Sequence, residues 1–391
     1  MKKPIILTVF GTRPEVIKLA PVVRALQRHS DLTTRVCVTA QHRQMLDLML
    51  SNFNVRPDYD LDLMKANQDL SGFSSRALPQ LQKVLRSVRP DFVLVQGDTT
   101  TAFVTALAAF YERVPVGHVE AGLRSYDRDN PYPEEINRIM ISRLSDIHFA
   151  PTSVARKNLI AEGIPDKMIM QTGNTVVDAL RLDGAIPHRF QNPTLQVAMG
   201  SLGAKDKAVV VTTHRRENLG KPLESLCAAF QTLVEKHDDL HLFYPVHMNP
   251  KVSEVVHRRL RHPRAHLLPA LDYFDLIHLL RKSYFVLTDS GGLQEEAPSL
   301  GKPVIILRKV TERPEAVSAG VAVLAGTKTS TVVRVASRLM RDPVFYNLMA
   351  RGSGIYGDGR ASERIVGSIR HHFGLVSKRP AHFYPVIKNS K

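Results

Sequence analysis

Residues 4–15 read PIILTVFGTRPE, and their reading decides the fold. Ile5–Phe10 is a short apolar run that a glycine ends, which is the pattern of a strand buried on both faces. Thr12 and Glu15 have capping-box spacing, so a helix starts at once. Its free N–H groups favour an anion, with Arg13 at the mouth and Lys18 one turn on. The same unit recurs. Strand-like runs stand at Ile5–Phe10, Arg35–Thr39, Phe92–Val95, Val116–Val119 and Ile147–Ala150, with helical periodicity between them, as at Glu15–His29 and Ser74–Ser87. The pattern restarts at Ala208–Thr213, Leu240–Tyr244, His266–Leu268, Phe285–Thr288 and Val304–Leu307. The alternation predicts an α/β protein with helices on both faces of parallel sheets. Two sheets of about five strands fit better than one very wide sheet.

The joint is expected near Thr172–Asn174, with Asp183–Pro193 as a surface segment. This gives a first domain over 1–172, a second over 173–360, and a crossover helix with a basic tail over 361–391. The helix is expected to cross back to the first domain, and the last dozen residues to fray. Gly352–Gly357 matches GxGxxG, but the residues before it read as helix rather than strand, so no NAD site follows.

Composition narrows the class. The chain has 391 residues, 53 Lys+Arg against 37 Asp+Glu, 2 Cys and no Trp. Too few cysteines are present for a disulfide framework, which suits a reducing compartment, and Cys37 and Cys227 read as core. The longest apolar stretch, Thr101–Phe110, falls short of the roughly 18 residues of a membrane span. Charged residues after Phe10 interrupt any signal-peptide pattern, so a cytoplasmic protein without membrane insertion is expected. The net charge of +16 favours anionic partners. It comes without zinc-finger spacing or interleaved aromatics, so nucleic acid is not the expected partner.

In open parallel sheets, ligands bind beyond the carboxyl ends of the strands. Asp98 lies in Gly97–Thr101, after the third strand-like run, either at a site or as a helix N-cap. Glu120 ends another strand, beside Ala121-Gly122, with a rim ion pair to Arg124 as its structural alternative. Glu134 and Arg138 share one helix face, and one of Glu134 and Glu135 is expected to form a plain surface pair. Carboxylates crowded in one cleft repel, which raises a pKa into the range of a usable acid or base. In the second half, His214 sits at a strand end between Thr213 and Arg215-Arg216. Ser290-Gly291-Gly292 follows the strand Phe285–Thr288 and leads to Glu295-Glu296. Such a turn lets backbone approach a phosphate, and Arg308, Lys309 and Arg313 add positive charge nearby.

The motifs GTRPEVIKLAPV (11–22), QHRQMLD (41–47), GDTTTAF (97–103), GHVEAGLRS (117–125), YPEEINR (132–138), THRREN (213–218), SGGLQEEAPSLGKPV (290–304) and TERPEAV (311–317) span nearly the whole chain. Together they resemble the non-hydrolysing UDP-N-acetylglucosamine 2-epimerases of bacteria. The resemblance implies two Rossmann-like domains facing a cleft, as in GT-B glycosyltransferases. It implies reversible conversion of UDP-GlcNAc to UDP-ManNAc without NAD or metal, by elimination of UDP to 2-acetamidoglucal and re-addition. The product would feed polysaccharide biosynthesis. Asp98, Glu120, Glu134 and His214 match the family's catalytic positions. Arg13, Lys18, Arg138, Ser290, Gly291, Gly292, Glu296 and Arg313 match nucleotide-sugar contacts. Leu271 and Leu276 stand near the uracil, in place of a Gln and a Phe. A second UDP-GlcNAc activates relatives, and Gln41, His42, Gln44, Arg215, Glu217 and His247 match or neighbour that site, while Asn67 stands where relatives often carry Arg. A homodimer is expected. The alternatives are a 2-epimerase of a related UDP-amino sugar, such as a UDP-diacetamido uronic acid, and a non-catalytic nucleotide-sugar binding protein.

Overall fold

A computed structural model describes residues 2–39, 43–65, 69–184, 188–352 and 354–385. The chain forms two compact units. The first holds the residues up to Leu182 together with the stretch that begins at Tyr356, and the second is Asp183–Ile355.

The first unit is built on seven parallel strands: β1 (Ile5–Phe10), β2 (Thr33–Val38), β3 (Tyr59–Asp60), β4 (Phe92–Gln96), β5 (Val116–Val119), β6 (Ile147–Ala150) and β7 (Ile169–Gln171). Their order is β3-β2-β1-β4-β5-β6-β7. β1 pairs with β2 from Ile5↔Thr33 to Phe10↔Val38, and with β4 from Ile6↔Phe92 to Thr8↔Leu94. The strand order reverses between β1 and β4, so the chain leaves these neighbours in opposite directions and their carboxyl ends flank a crevice. Leu7, Val9, Val93, Val95 and Val116 form one buried face with Phe73, Ala77 and Leu81 of the helix Leu70–Val88.

The second unit repeats the plan with six parallel strands: β8 (Lys207–Thr212), β9 (Leu240–Pro245), β10 (Ala265–Leu268), β11 (Phe285–Thr288), β12 (Val304–Ile306) and β13 (Ala322–Leu324). The order β10-β9-β8-β11-β12-β13 reverses between β8 and β11, which pair from Phe285↔Val209 to Thr288↔Thr212. Val209, Val211, Leu242, Phe285 and Leu287 are buried against Leu226, Phe230 and Leu233 of the helix Lys221–Lys236. No described helix is long and apolar enough to cross a membrane.

The expected strands are present to within two residues at each end, and the sheets are wider than about five strands. β3, β7 and β13 are the additions, and two or three residues are too few to display a period. The first unit also runs ten residues past the expected joint, since the helix Thr175–Gly184 begins within it. Asp178 of that helix accepts hydrogen bonds from Ala361 N (3.2 Å) and Ser362 N (2.8 Å), capping the helix Ala361–His372. This last helix packs on the helix Arg13–Gln27, with Arg370 Nε and Nη2 both donating to Asp31 Oδ2 at 3.0 and 2.7 Å. The chain therefore re-enters the first unit at Tyr356, ahead of the helix. The Gly352–Gly357 stretch follows the helix Pro343–Met349, without the strand that a dinucleotide fingerprint requires; its Ser353 lies outside the described residues.

The tail corrects an expectation. Residues up to 385 do not fray but run along β7. Phe383 N donates to Gln171 O at 2.7 Å, Gln171 Nε2 returns a bond to Phe383 O at 2.5 Å, and Gln171 N donates to His382 Nδ1 at 3.0 Å. Arg379 reaches Ile169 O at 2.8 Å. The open edge of β7 thus gains partners that water or another chain would otherwise supply. The apolar Phe383, 4% exposed, is the sequence feature that separates this segment from a frayed end. Replacing it by Ala should cost on the order of 3 kcal/mol and lower the first unit's melting temperature by roughly 5–10 °C. An unchanged calorimetric melting temperature would remove the tail from the cooperative unit.

Candidate active site

At the reversal point of the first sheet, the turns after β1 and β4 share one buried carboxylate. Glu15 accepts from Gly11 N (3.0 Å), Thr12 N (2.8 Å), Thr12 Oγ1 (2.8 Å) and, from the neighbouring turn, Thr99 Oγ1 (2.8 Å). Burial pushes its pKa up to about 7 against these hydrogen bonds, which lower it. Gly11 is required here, because a Cβ would stand 2.1 Å from Thr39 Oγ1 and 2.6 Å from Thr101 Oγ1. The spacing of Thr12 and Glu15 predicts the cap; the tie to Thr99 is tertiary and has no local signal.

One turn into the helix, Lys18 is buried and its ammonium pairs with Glu120. Glu120 follows β5 with φ +63°, a left-handed conformation that a Glu adopts at a cost of about 1 kcal/mol or more. Its carboxylate also accepts from Gln96 Nε2, at the end of β4, and from Asn174 Nδ2 at 3.1 Å. Arg124 is not the partner: it is bidentate on Glu162 at 2.6 and 2.8 Å. Gln96 and Asn174 escape sequence reasoning. Gln96 lies one residue past the strand-like run Phe92–Val95, and Asn174 reads as part of a joint.

Asp98 pairs with Arg138 at 2.6 Å. Thr99, not Asp98, caps the helix Thr100–Tyr111, its Oγ1 accepting from Ala102 N at 3.0 Å. Asp98 is thereby left to side-chain chemistry. Its backbone is gripped twice: Asn137 Nδ2 donates to Asp98 O at 2.8 Å, and His118 Nε2 lies 2.7 Å from Gly97 O. A carbonyl only accepts, so His118 donates from Nε2. Burial lowers the pKa of this ring to about 4, so it is neutral. Glu135 is no surface partner either. It is 1% exposed and accepts from Ser125 N and Tyr126 N, each at 3.0 Å, and from Arg138 Nη1 at 3.0 Å. Glu134 is half-buried at the first position of the helix Glu134–Leu144, and Arg13 is half-buried at the first position of its own helix.

The second unit gathers the other expected residues at its own reversal point. Asp289, directly after β11, binds the turn after β8 through His214 N, Arg215 N and Asn218 Nδ2. His214 is partly exposed, and its ring lies 6.1 Å from that of His247, nearly parallel. Ser290 N donates to Thr288 Oγ1 at 2.9 Å, and Gly291 and Gly292 open the helix Leu293–Ser299. A Cβ on Gly291 would approach Arg313 Nη1 to 2.8 Å, so the glycine keeps the guanidinium next to the turn. Arg313 is held by Glu295 at 2.6 Å and Glu312 at 3.3 Å, and Arg308 by Glu217 at 2.7 Å and Glu312 at 3.1 Å. Burial raises the pKa of Glu312, but Arg313 and Arg308 more than cancel this and hold it at about 2. Glu296 and Leu271 are buried and Leu276 is half-buried.

The structure thus collects Arg13, Lys18, Asp98, Glu120, Glu134 and Arg138 in the first unit. It collects His214, Arg215, Glu217, His247, Leu271, Leu276, Ser290, Gly291, Gly292, Glu296 and Arg313 in the second. Gln41, His42 and Asn67 lie outside the described residues, as does the side chain of Gln44. Among the described residues no group of three His, Cys, Asp or Glu side chains is arranged to hold a metal ion.

Comparison with known proteins gives this arrangement a family. The family model for UDP-N-acetylglucosamine 2-epimerase matches residues 24–370. The UDP-N-acetylglucosamine 2-epimerase of Bacillus subtilis is 46% identical over 384 residues, covering 98% of this chain and 99% of the relative. The crystal structure of the Neisseria meningitidis UDP-GlcNAc 2-epimerase bound to UDP-GlcNAc superimposes with a TM-score of 0.87 at 44% identity, covering 94% of this chain and all of that one. The Streptomyces nogalater glycosyltransferase SnogD, 13% identical with a TM-score of 0.58, shares the fold alone. The carboxylates and cations at the two reversal points therefore belong to a member of the bacterial, non-hydrolysing UDP-N-acetylglucosamine 2-epimerase family.

Proposed function

We propose that the protein interconverts UDP-GlcNAc and UDP-ManNAc by elimination of UDP and re-addition. The C2 hydrogen of this sugar is not next to a carbonyl carbon, so simple deprotonation at C2 is very unfavourable. In the elimination, a carboxylate takes the C2 proton and a C1–C2 double bond forms. The C1–O bond breaks with its electron pair passing to the diphosphate oxygen. The reverse steps, with the proton delivered to the opposite face of C2, complete the epimerisation and consume nothing.

The observation that carries this reading is the pair of cation-held carboxylates, Glu120 with Lys18 and Asp98 with Arg138. Both lie beyond the carboxyl ends of strands, at positions that match the family's motifs. Asp98, Glu120 and Glu134 are the proposed proton-transfer groups. His214 and Arg313 would stabilise the departing diphosphate, where fixed positive groups act most strongly in the transition state. Ser290, Gly291 and Gly292 would carry the phosphates, Glu296 the ribose hydroxyls, and Leu271 and Leu276 would lie near the uracil. Arg13 completes the contacts. Neither NAD nor a metal enters this scheme.

Arg215, Glu217 and His247, with Gln41, His42 and Gln44, are proposed to hold an activating second UDP-GlcNAc. A cytoplasmic homodimer completes the proposal. Phe110 and Tyr111, which end one helix, and Ile139 and Met140 on the helix packed beside it, are exposed apolar side chains where a dimer contact would first be sought.

Proton NMR in D2O tests the reaction. UDP-GlcNAc should give UDP-ManNAc with deuterium at C2 in both sugars. Free ManNAc with UDP would mean hydrolysis instead, and no change in folded enzyme would send the test to a UDP-diacetamido uronic acid. Asp98→Asn should lower kcat by roughly 10²-fold or more while UDP still binds in calorimetry. Full turnover by this variant would remove Asp98 from the catalytic set.

A further inference from the structure

Asp289 is a buried carboxylate of the second unit that the proposed reaction leaves without a task. Its side chain is fully buried. It accepts from His214 N at 3.1 and 3.0 Å, from Arg215 N at 3.0 Å and from Asn218 Nδ2 at 2.9 Å. Its Oδ1 lies 3.2 Å from His214 Nδ1, and the His214 side chain is 38% exposed. Every one of these partners belongs to the 214–218 turn. Among the described side chains no Lys or Arg forms an ion pair with Asp289, so the His214 ring is the one ionisable partner it holds.

A carboxylate accepts hydrogen bonds and cannot donate them. The nitrogen that faces Asp289 therefore carries a hydrogen, and Nε2 becomes the working end of the ring. On a neutral ring Nε2 is then an acceptor; on a charged ring it is a donor, fit for a phosphate oxygen. The bonds to His214 N and Arg215 N fix the backbone beneath the ring, so one carboxylate sets both its orientation and its tautomer.

We propose that Asp289 is a positioning residue that acts through His214, fixing the Nδ1–H tautomer and presenting Nε2 to the diphosphate. The inference rests on His214 acting on a UDP-sugar, as proposed above; the tautomer does not depend on that reading. The rival is a purely structural clip between two turns. The clip has a second tie, since Asn218 Nδ2 also donates to Leu307 O at 3.0 Å. This tie supports the turn when Asp289 is replaced by an isosteric amide. In Asp289→Asn the amide oxygen can still accept from backbone N–H groups. Its NH2 then meets Nδ1 with a donor and favours the opposite tautomer.

The experiment combines a spectrum with a mutant cycle on the full-length protein. Long-range proton–nitrogen NMR of protein labelled with 15N-histidine reports the His214 tautomer, the signal being assigned by its loss in His214→Gln. We expect Nδ1 protonated in the wild type and a shift toward the Nε2–H form in Asp289→Asn. With UDP-GlcNAc as substrate, Asp289→Asn should lower kcat roughly 100-fold with KM changed less than about threefold. In a His214→Gln background the same change should cost less than about threefold further. An unprotonated Nδ1 in the wild type would overturn the proposal even if Asp289→Asn failed to fold. So would an equal loss in both backgrounds, the mark of a structural clip. A wild type that leaves UDP-GlcNAc unchanged would sink the functional reading and leave the tautomer result standing.

Discussion

The reversal of strand order in each sheet is the constraint on which the rest of the molecule depends. Where two parallel neighbours send their chains to opposite sides, the adjoining turns present unpaired backbone N–H groups that need acceptors. Both units answer with a buried carboxylate. Glu15 joins the turns after β1 and β4, and Asp289 joins those after β8 and β11. Burying an acid is costly unless its oxygens are fully used. Here each accepts several short bonds, so the same contacts that offset burial also fix the turns. The groups that could do chemistry, Asp98 beside Thr99 and His214 beside Arg215, are carried on those turns.

The cations around these turns are also bound in advance. Lys18, Arg138, Arg308 and Arg313 are each buried and each paired with a carboxylate. Buried pairs of this kind contribute little net stability, because desolvation consumes most of the Coulomb gain. What they provide is position. A guanidinium already held by Glu295 and Glu312 need not search for its orientation when an anion arrives, and a fixed charge is worth more at a developing negative charge than a mobile one.

Much of this was legible in the sequence because strands and their exits have local signatures. An apolar run ended by Gly11, or by Glu120 with Gly122 behind it, identifies a strand end, and strand ends are where the sheet presents its chemistry. The partners were not legible. Gln96 and Asn174 come from different strand ends and reach Glu120 through the topology alone. Arg124 lies four residues from Glu120, yet β5 and its turn send it to Glu162. The helix pattern expects one of Glu134 and Glu135 to be a surface charge, and it cannot show that the 125–126 backbone binds Glu135. Local spacing names which residues can meet on one element. It says nothing about a residue from another element that arrives first.

The pairing of Lys18 with Glu120 sets a condition on any proton that Glu120 accepts. Protonating the carboxylate weakens its pairing with a buried ammonium, and weakening a buried ion pair is costly. Proton transfer to Glu120 is therefore eased when another negative charge reaches Lys18. In the proposed elimination, negative charge moves onto the leaving diphosphate as the C2 proton departs. The ion pair thus disfavours proton abstraction without loss of the leaving group, and favours the two changes together. The same argument applies to Asp98 and Arg138, where Arg138 also holds Glu135. Protonating Asp98 leaves that guanidinium paired with Glu135.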